Sequence, residues 1–133
     1  MKPARPNLYA PEFQVDRTMK TAHPPEPPYY AVIFTSVRTP GDNGYAETAR
    51  RMLELAAEQD GFLGVEAARD SGLGITVSYW DSLEAIARWK RNTEHLEAQR
   101  KGRETWYQEY RLRIAKVTAE RAFRRETSGG NVK

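Results

Sequence analysis

An α+β fold, a four-stranded antiparallel sheet with helices on one face, is predicted from three observations. Short runs alternate apolar and polar residues at period two, as half-buried strands do. Other segments repeat apolar residues at three- and four-residue spacing, as amphipathic helices do. The two kinds of segment follow one another in the order βαββαβ between about residues 29 and 118 of a 133-residue chain.

The first strand is YYAVIFTSVR from Tyr29, rich in β-branched and aromatic residues. Thr39-Pro-Gly-Asp-Asn-Gly44 is a loop that also offers helix-start residues. Tyr45, Ala49, Met52, Leu53 and Ala56 then form one apolar helical face, and Gly61 is placed as the residue after that helix. Phe62 to Arg69, with Leu63, Val65 and Ala67 on one face, is the second strand. Across a Ser71-Gly72-Leu73-Gly74 turn it pairs with a third strand, in which Ile75, Val77 and Tyr79 alternate with Thr76, Ser78 and Trp80. Asp81 and Glu84 have the spacing of a capping box, and Leu83, Ile86, Ala87 and Lys90 keep helical period behind it, with Trp89 near the apolar edge. Asn92 or Thr93 caps a further helical piece running to about Tyr107, and Tyr110 to Val117 is the last strand, with Leu112 and Ile114 on one face. The arrangement is ferredoxin-like and leaves one sheet face bare. A second copy of the same sheet is the expected cover, which makes the protein a homodimer.

Three segments follow: a proline-rich arm over 1–28, a domain over 29–118 and a charged tail over 119–133. The arm holds seven of the eight prolines and no period of either kind. Its apolar residues Leu8, Tyr9, Phe13 and Val15 suit packing along a neighbouring surface. A formal charge of +3, with Lys and Arg interspersed among Glu, argues against nucleic acid. That partner would need Arg111, Arg113, Lys116, Arg121, Arg124 and Arg125 to form one stripe. No cysteine is present, which excludes disulfides, thiolate catalysis and Cys-ligated metals and fits a reducing compartment. With no apolar run near the roughly 20 residues of a membrane span and no signal-peptide core, a soluble, cytoplasmic protein without membrane association is expected.

The chemistry concentrates between Gly74 and Tyr110, which holds all three tryptophans and the domain's one histidine. His95 is the domain side chain that titrates near neutrality, hence the candidate general base; its bland alternative is a capping or surface histidine. No second domain histidine accompanies it, so no metal site is expected. Trp89, Trp106 and Tyr79 are candidate walls of a flat aromatic pocket, whereas Trp80 and Tyr110 are assigned mainly to core. Gly102, inside a predicted helix, marks a close approach or a break. Arg103, with Arg100 and Lys101, is either a solvated face or an anion clamp for an acidic substrate.

GFLGVEAARD, GITVSYWDSLEAIARWK and EHLEAQRKGRETWYQEYRLRIAKV together resemble the antibiotic biosynthesis monooxygenase superfamily of dimeric α+β barrels, over about residues 29 to 118. The resemblance implies that fold. It also implies a choice among cofactor-independent oxygenases of aromatic compounds, heme-degrading enzymes and proteins without known activity. Heme-degrading relatives carry a strand Asn, a helix Trp and a His ligand. Their Trp matches Trp89, while Phe34 and Gln99 occupy the other two positions, with His95 one helical turn before Gln99. The leading expectation is a monooxygenase of a small aromatic molecule, working without metal or flavin. His95 would be its base, Trp89 and Gln99 donors, and Phe34, Tyr79, Arg103 and Trp106 part of the binding surface. A non-catalytic binder of small hydrophobic ligands or a stress-related protein is the second, and a heme-binding or heme-degrading protein the third. No cofactor is expected, heme being the one the resemblance raises.

Overall fold

The computed structural model describes residues 21–126. The expectations for the earlier part of the arm and for the end of the tail lie outside these residues. Strand β1 (Tyr29–Arg38) leads to helix α1 (Tyr45–Ala57), then to strands β2 (Phe62–Arg69) and β3 (Leu73–Trp80). Helices α2 (Leu83–Arg91) and α3 (Thr93–Lys101) follow, then a π-helical turn over Gly102–Trp106 and strand β4 (Tyr107–Val117). The sheet is antiparallel throughout in the order β2-β3-β1-β4. This is the expected ferredoxin-like α+β fold.

Pleating sends alternate residues to opposite faces. Tyr30 and Val32 of β1, Trp80 of β3 and Phe62 of β2 meet Met52, Leu55 and Ala56 of α1 and Ala85, Ile86 and Trp89 of α2 in one core. Trp80 is fully buried. On the other face, Leu73 and Ile75 remain 48% and 44% exposed. One end of that face is covered by the chain itself. The Ala22 backbone N–H donates to Glu66 at 3.0 Å, and the Tyr29 hydroxyl donates to Glu120 at 3.1 Å. Arg111 and Arg113 pair with Thr35 and Ile33, while Lys116 pairs with Tyr30, so strand alternation divides these cations between the two faces.

Several local expectations are corrected. The cap of α2 is Ser82, whose extended backbone lets its hydroxyl accept from the Ala85 N–H at 3.1 Å; Asp81 instead donates its N–H to the Gly61 carbonyl at 2.8 Å. Helix α2 is also rotated from the predicted face. Ala85, Ile86 and Trp89 are buried, so Trp89 sits within the buried stripe, and Leu83 is 52% exposed. A register shift between Phe62 and Gly64 turns Phe62 towards Trp80, which breaks the alternation read from Leu63 to Ala67. Of the two caps considered for α3, the Asn92 side chain is the one used, accepting from the His95 N–H at 3.1 Å.

The helical path from Thr93 runs to Trp106, close to the expected Tyr107, but its last turn is π-helical. At Gly102 the hydrogen bonding loosens into the π turn, and β4 begins at Tyr107, earlier than the predicted Tyr110. A Cβ on Gly102 would stand 2.9 Å from the Tyr107 ring, so the glycine serves both as break and as close approach. Tyr110 is half-buried and packs on Phe34 and Tyr107 outside the main core.

Candidate functional site

Two aromatic groups occupy the helix side of the sheet. The first is a stack. Trp89 lies 6.0 Å from Trp80, at an interplanar angle of 28°, and 4.1 Å from the His95 ring at 15°. Asn92, extended at φ −60° and ψ 128°, reverses the chain between α2 and α3 and folds His95 back over Trp89.

The His95 Nδ1 lies 3.0 Å from the Trp89 carbonyl oxygen. A carbonyl only accepts, so Nδ1 must carry the proton. In the neutral ring the lone pair is then on Nε2, which has no hydrogen-bond partner among the described residues. Burial depresses the His95 pKa, and the bond to Trp89 opposes this more weakly. The ring is therefore neutral at pH 7 and presents Nε2 as a base or ligand atom. The Trp89 indole, only 9% exposed, likewise has no partner for its N–H among the described residues. Gln99 is half-buried one turn beyond His95 on the same helix face.

The second group lies at the end of the sheet where β1 exits and β4 enters. Phe34 packs on Tyr107 at 5.4 Å and on Tyr110 at 5.3 Å. Tyr45, the first residue of α1, meets Trp106 at 5.9 Å and Tyr107 at 5.8 Å. Trp106 is a fastener: its indole donates to the Asn43 carbonyl at 2.8 Å, and its own carbonyl accepts from Thr39 N–H at 2.9 Å and Arg38 Nε at 3.0 Å. These bonds tie the 39–44 loop to the π turn. Burial, reinforced by Tyr45, raises the Tyr107 pKa and keeps the phenol protonated.

The remaining predicted residues stand apart. Tyr79 is on the opposite face, against the Tyr29 ring, and donates to Glu66 at 2.7 Å. Burial first, then Glu66, pushes its pKa up to about 12. Arg103 is exposed on the π turn. Its neighbour Arg100 is held by Glu97 and by Glu104, the latter at 2.7 Å, so that cation is already neutralised locally. A shallow, open depression of about 400 Å³, lined by Ala68, Arg69, Asp70, Leu73 and Ile75, lies at the hairpin end away from the tryptophan stack. Sequence reasoning missed Arg38, Arg69 and Tyr45. The one signal there was the polar run Thr35-Ser36 two residues before Arg38 in a mainly apolar strand, with Ser36 buried in the structure.

A Bacillus subtilis relative, the uncharacterized protein YqjZ, is 58% identical over 105 residues, covering 78% of this chain and 92% of the relative. Jasmonate monooxygenase ABM of Pyricularia oryzae is 31% identical over 96 residues, covering 68% of this chain; the chain spans 44% of that protein's length. Among solved structures, a point mutant of SnoaB, a cofactor-independent oxygenase from Streptomyces nogalater, superposes with a TM-score of 0.60. It does so at 13% identity over 71% of this chain and 95% of its own, a likeness of fold alone. Residues 28–101, the span that carries the tryptophan stack and all but the last strand of the sheet, match the antibiotic biosynthesis monooxygenase family, and the chain belongs to that family.

Proposed function

We propose that this protein is a monooxygenase of a small aromatic molecule that uses His95 as its general base, with residues 29–118 as the catalytic domain. The observation that carries the reading is the stacked, neutral imidazole with its proton fixed on Nδ1 and its Nε2 free. Nε2 takes a proton from an acidic C–H or O–H of the substrate, and the resulting carbanion is electron-rich enough to react with dioxygen. For an activated methylene the balance closes without a further reductant: CH2 and O2 give C=O and H2O, the substrate supplying all four electrons. The unpartnered Trp89 N–H and the Gln99 amide are donors for the developing oxyanion. The relative named a jasmonate monooxygenase, 31% identical, supports the reaction class.

The test is a kcat/KM profile for oxygen uptake with anthrone-like and phenolic substrates. Because the folded pKa of His95 lies below the ordinary 6.5, the base stays active as pH falls to 6.5 and fails only below it. In His95→Gln the rate is expected to drop by about 10²–10⁴-fold and the acid limb to disappear. Unchanged turnover in that variant sinks the assignment.

The residues do not fit the heme pattern, since Phe34 offers no amide and Gln99 offers no imidazole. No step through heme is therefore proposed. The exposed Leu73 and Ile75 support a homodimer joined through the bare sheet face. A sedimentation mass of one chain would refute that arrangement. Among the described residues no helix is long and apolar enough to cross a membrane. A cytoplasmic setting belongs to the same proposal and is supported by the cysteine-free composition.

A further inference from the structure

The end of the sheet beyond the tryptophan stack brings two arginines together, with the carboxylates of Asp42 and Asp70 nearby. The Arg38 guanidinium carbon stands 3.7 Å from the Tyr45 ring centroid, and that of Arg69 stands 5.9 Å from the same centroid. Neither arginine makes an ion pair among the described residues. The nearby acids are engaged elsewhere. Asp42 accepts from the Gly44 and Ala46 N–H groups, both at 3.1 Å, to cap α1. Asp70 accepts from Gly72 and Leu73, both at 2.8 Å, to close the hairpin turn.

What holds the two forks is neutral oxygen. Arg38 donates from Nε to the Trp106 carbonyl and from Nη2 to the Gly41 carbonyl at 2.9 Å. Arg69 reaches across the sheet to Ser36, and its Nη1 donates to the Gly72 carbonyl at 3.2 Å. The Arg69 guanidinium lies directly over Gly74, in the space a Cβ there would take. Arg38 Nη1 and Arg69 Nε have no partner among the described residues. Both side chains are half-buried, so solvent reaches them while the surroundings weaken screening.

Two like charges fixed beside one ring repel each other, and burial weakens the water that would otherwise screen them. An anion between them relieves that repulsion and accepts the unused N–H groups. The flanking surface is aromatic: Phe34, Tyr107 and Tyr110, packed edge to face or tilted on one another. We propose that Arg38 and Arg69 form a binding site for the carboxylate of a small aromatic acid, whose ring packs against the Phe34, Tyr107 and Tyr110 cluster. The site lies at the end of the strands away from Trp80 and its stack, so it is proposed as a binding site, measurable without turnover; a part in catalysis rests on the oxygenase reading.

The test is calorimetric titration of the full-length protein with benzoate, benzamide and inorganic phosphate, with the arginine Nε–H resonances followed by NMR. Benzoate is expected to saturate one site per chain and to shift the Arg38 and Arg69 signals; benzamide and phosphate are not. Arg69→Gln should weaken benzoate at least about tenfold, the loss expected for one charge-assisted contact. Arg88→Gln, exposed on α2, should leave it unchanged. Arg38 also braces the loop, so Arg69→Gln decides the matter if Arg38→Gln does not fold. Equal binding of benzoate and benzamide, tight phosphate binding, or unaltered benzoate affinity in Arg69→Gln overturns the proposal. Benzoate binding with no oxygen uptake on any acid leaves the site standing and removes the oxygenase reading.

Discussion

The tryptophan stack and the arginine–tyrosine cluster lie under the same helical layer, yet they are built on opposite principles. Trp80, Trp89 and His95 are held by regular elements and apolar contact, with two polar hooks, from the imidazole to the Trp89 carbonyl and from the Trp80 indole to the Ser78 hydroxyl. The cluster around Tyr45 sits where the backbone is least regular, between the π turn and a loop with left-handed Gly41, Asn43 and Gly44. There, order comes from hydrogen bonds to backbone carbonyls, and the charge is left unspent. Burial of aromatic rings therefore does not by itself separate core from site. What separates them is which polar atoms remain free once the local structure has been satisfied.

If the stack rests on the core, Trp80→Ala should have the largest effect. The side chain is fully buried at the junction of both core helices with the sheet, so the change should cost about 3–5 kcal/mol in denaturant unfolding and loosen the His95–Trp89 stack with it. A loss under about 1 kcal/mol would mean that the stack does not depend on the core beneath it.

A smaller effect is expected from Gly102→Ala. The backbone there is ordinary right-handed helix, so the cost arises from contact with Tyr107 alone and should be about 1–3 kcal/mol. Because the cluster and the stack are separate groups, benzoate affinity should fall in this variant while the His95 acid limb stays in place. Movement of both readouts together would show one coupled site. No change in stability would show that the Tyr107 ring does not press on Gly102.

Much of the fold was legible in the chain because its signals are local. The alternation from Ile75 to Trp80 and a tight turn after Arg69 set the hairpin without reference to anything distant, although Leu73 and Gly74, expected in the turn, are already strand, Gly74 pairing with Arg69. The face of α2 was misread by about one residue, since Ser82 and Asp81 are both good caps and only pairing of Asp81 with Gly61 decides between them. The site was legible only in part. His95 and Trp89 are six residues apart and meet through a single reversal at Asn92, whereas Arg38 and Arg69 meet across the sheet from positions 31 apart.

Residue order alone was enough for the succession of strands and helices and the absence of cysteine chemistry, because periodicity, capping and composition act within a few residues. It took the folded chain to send Tyr79 away from the tryptophans to the other face, to place the His95 proton on Nδ1 and to bring two arginines to one tyrosine. The reason is geometric: strand register and helix rotation fix where side-chain tips converge, and a shift of one residue in either sends the same residue type to a different environment.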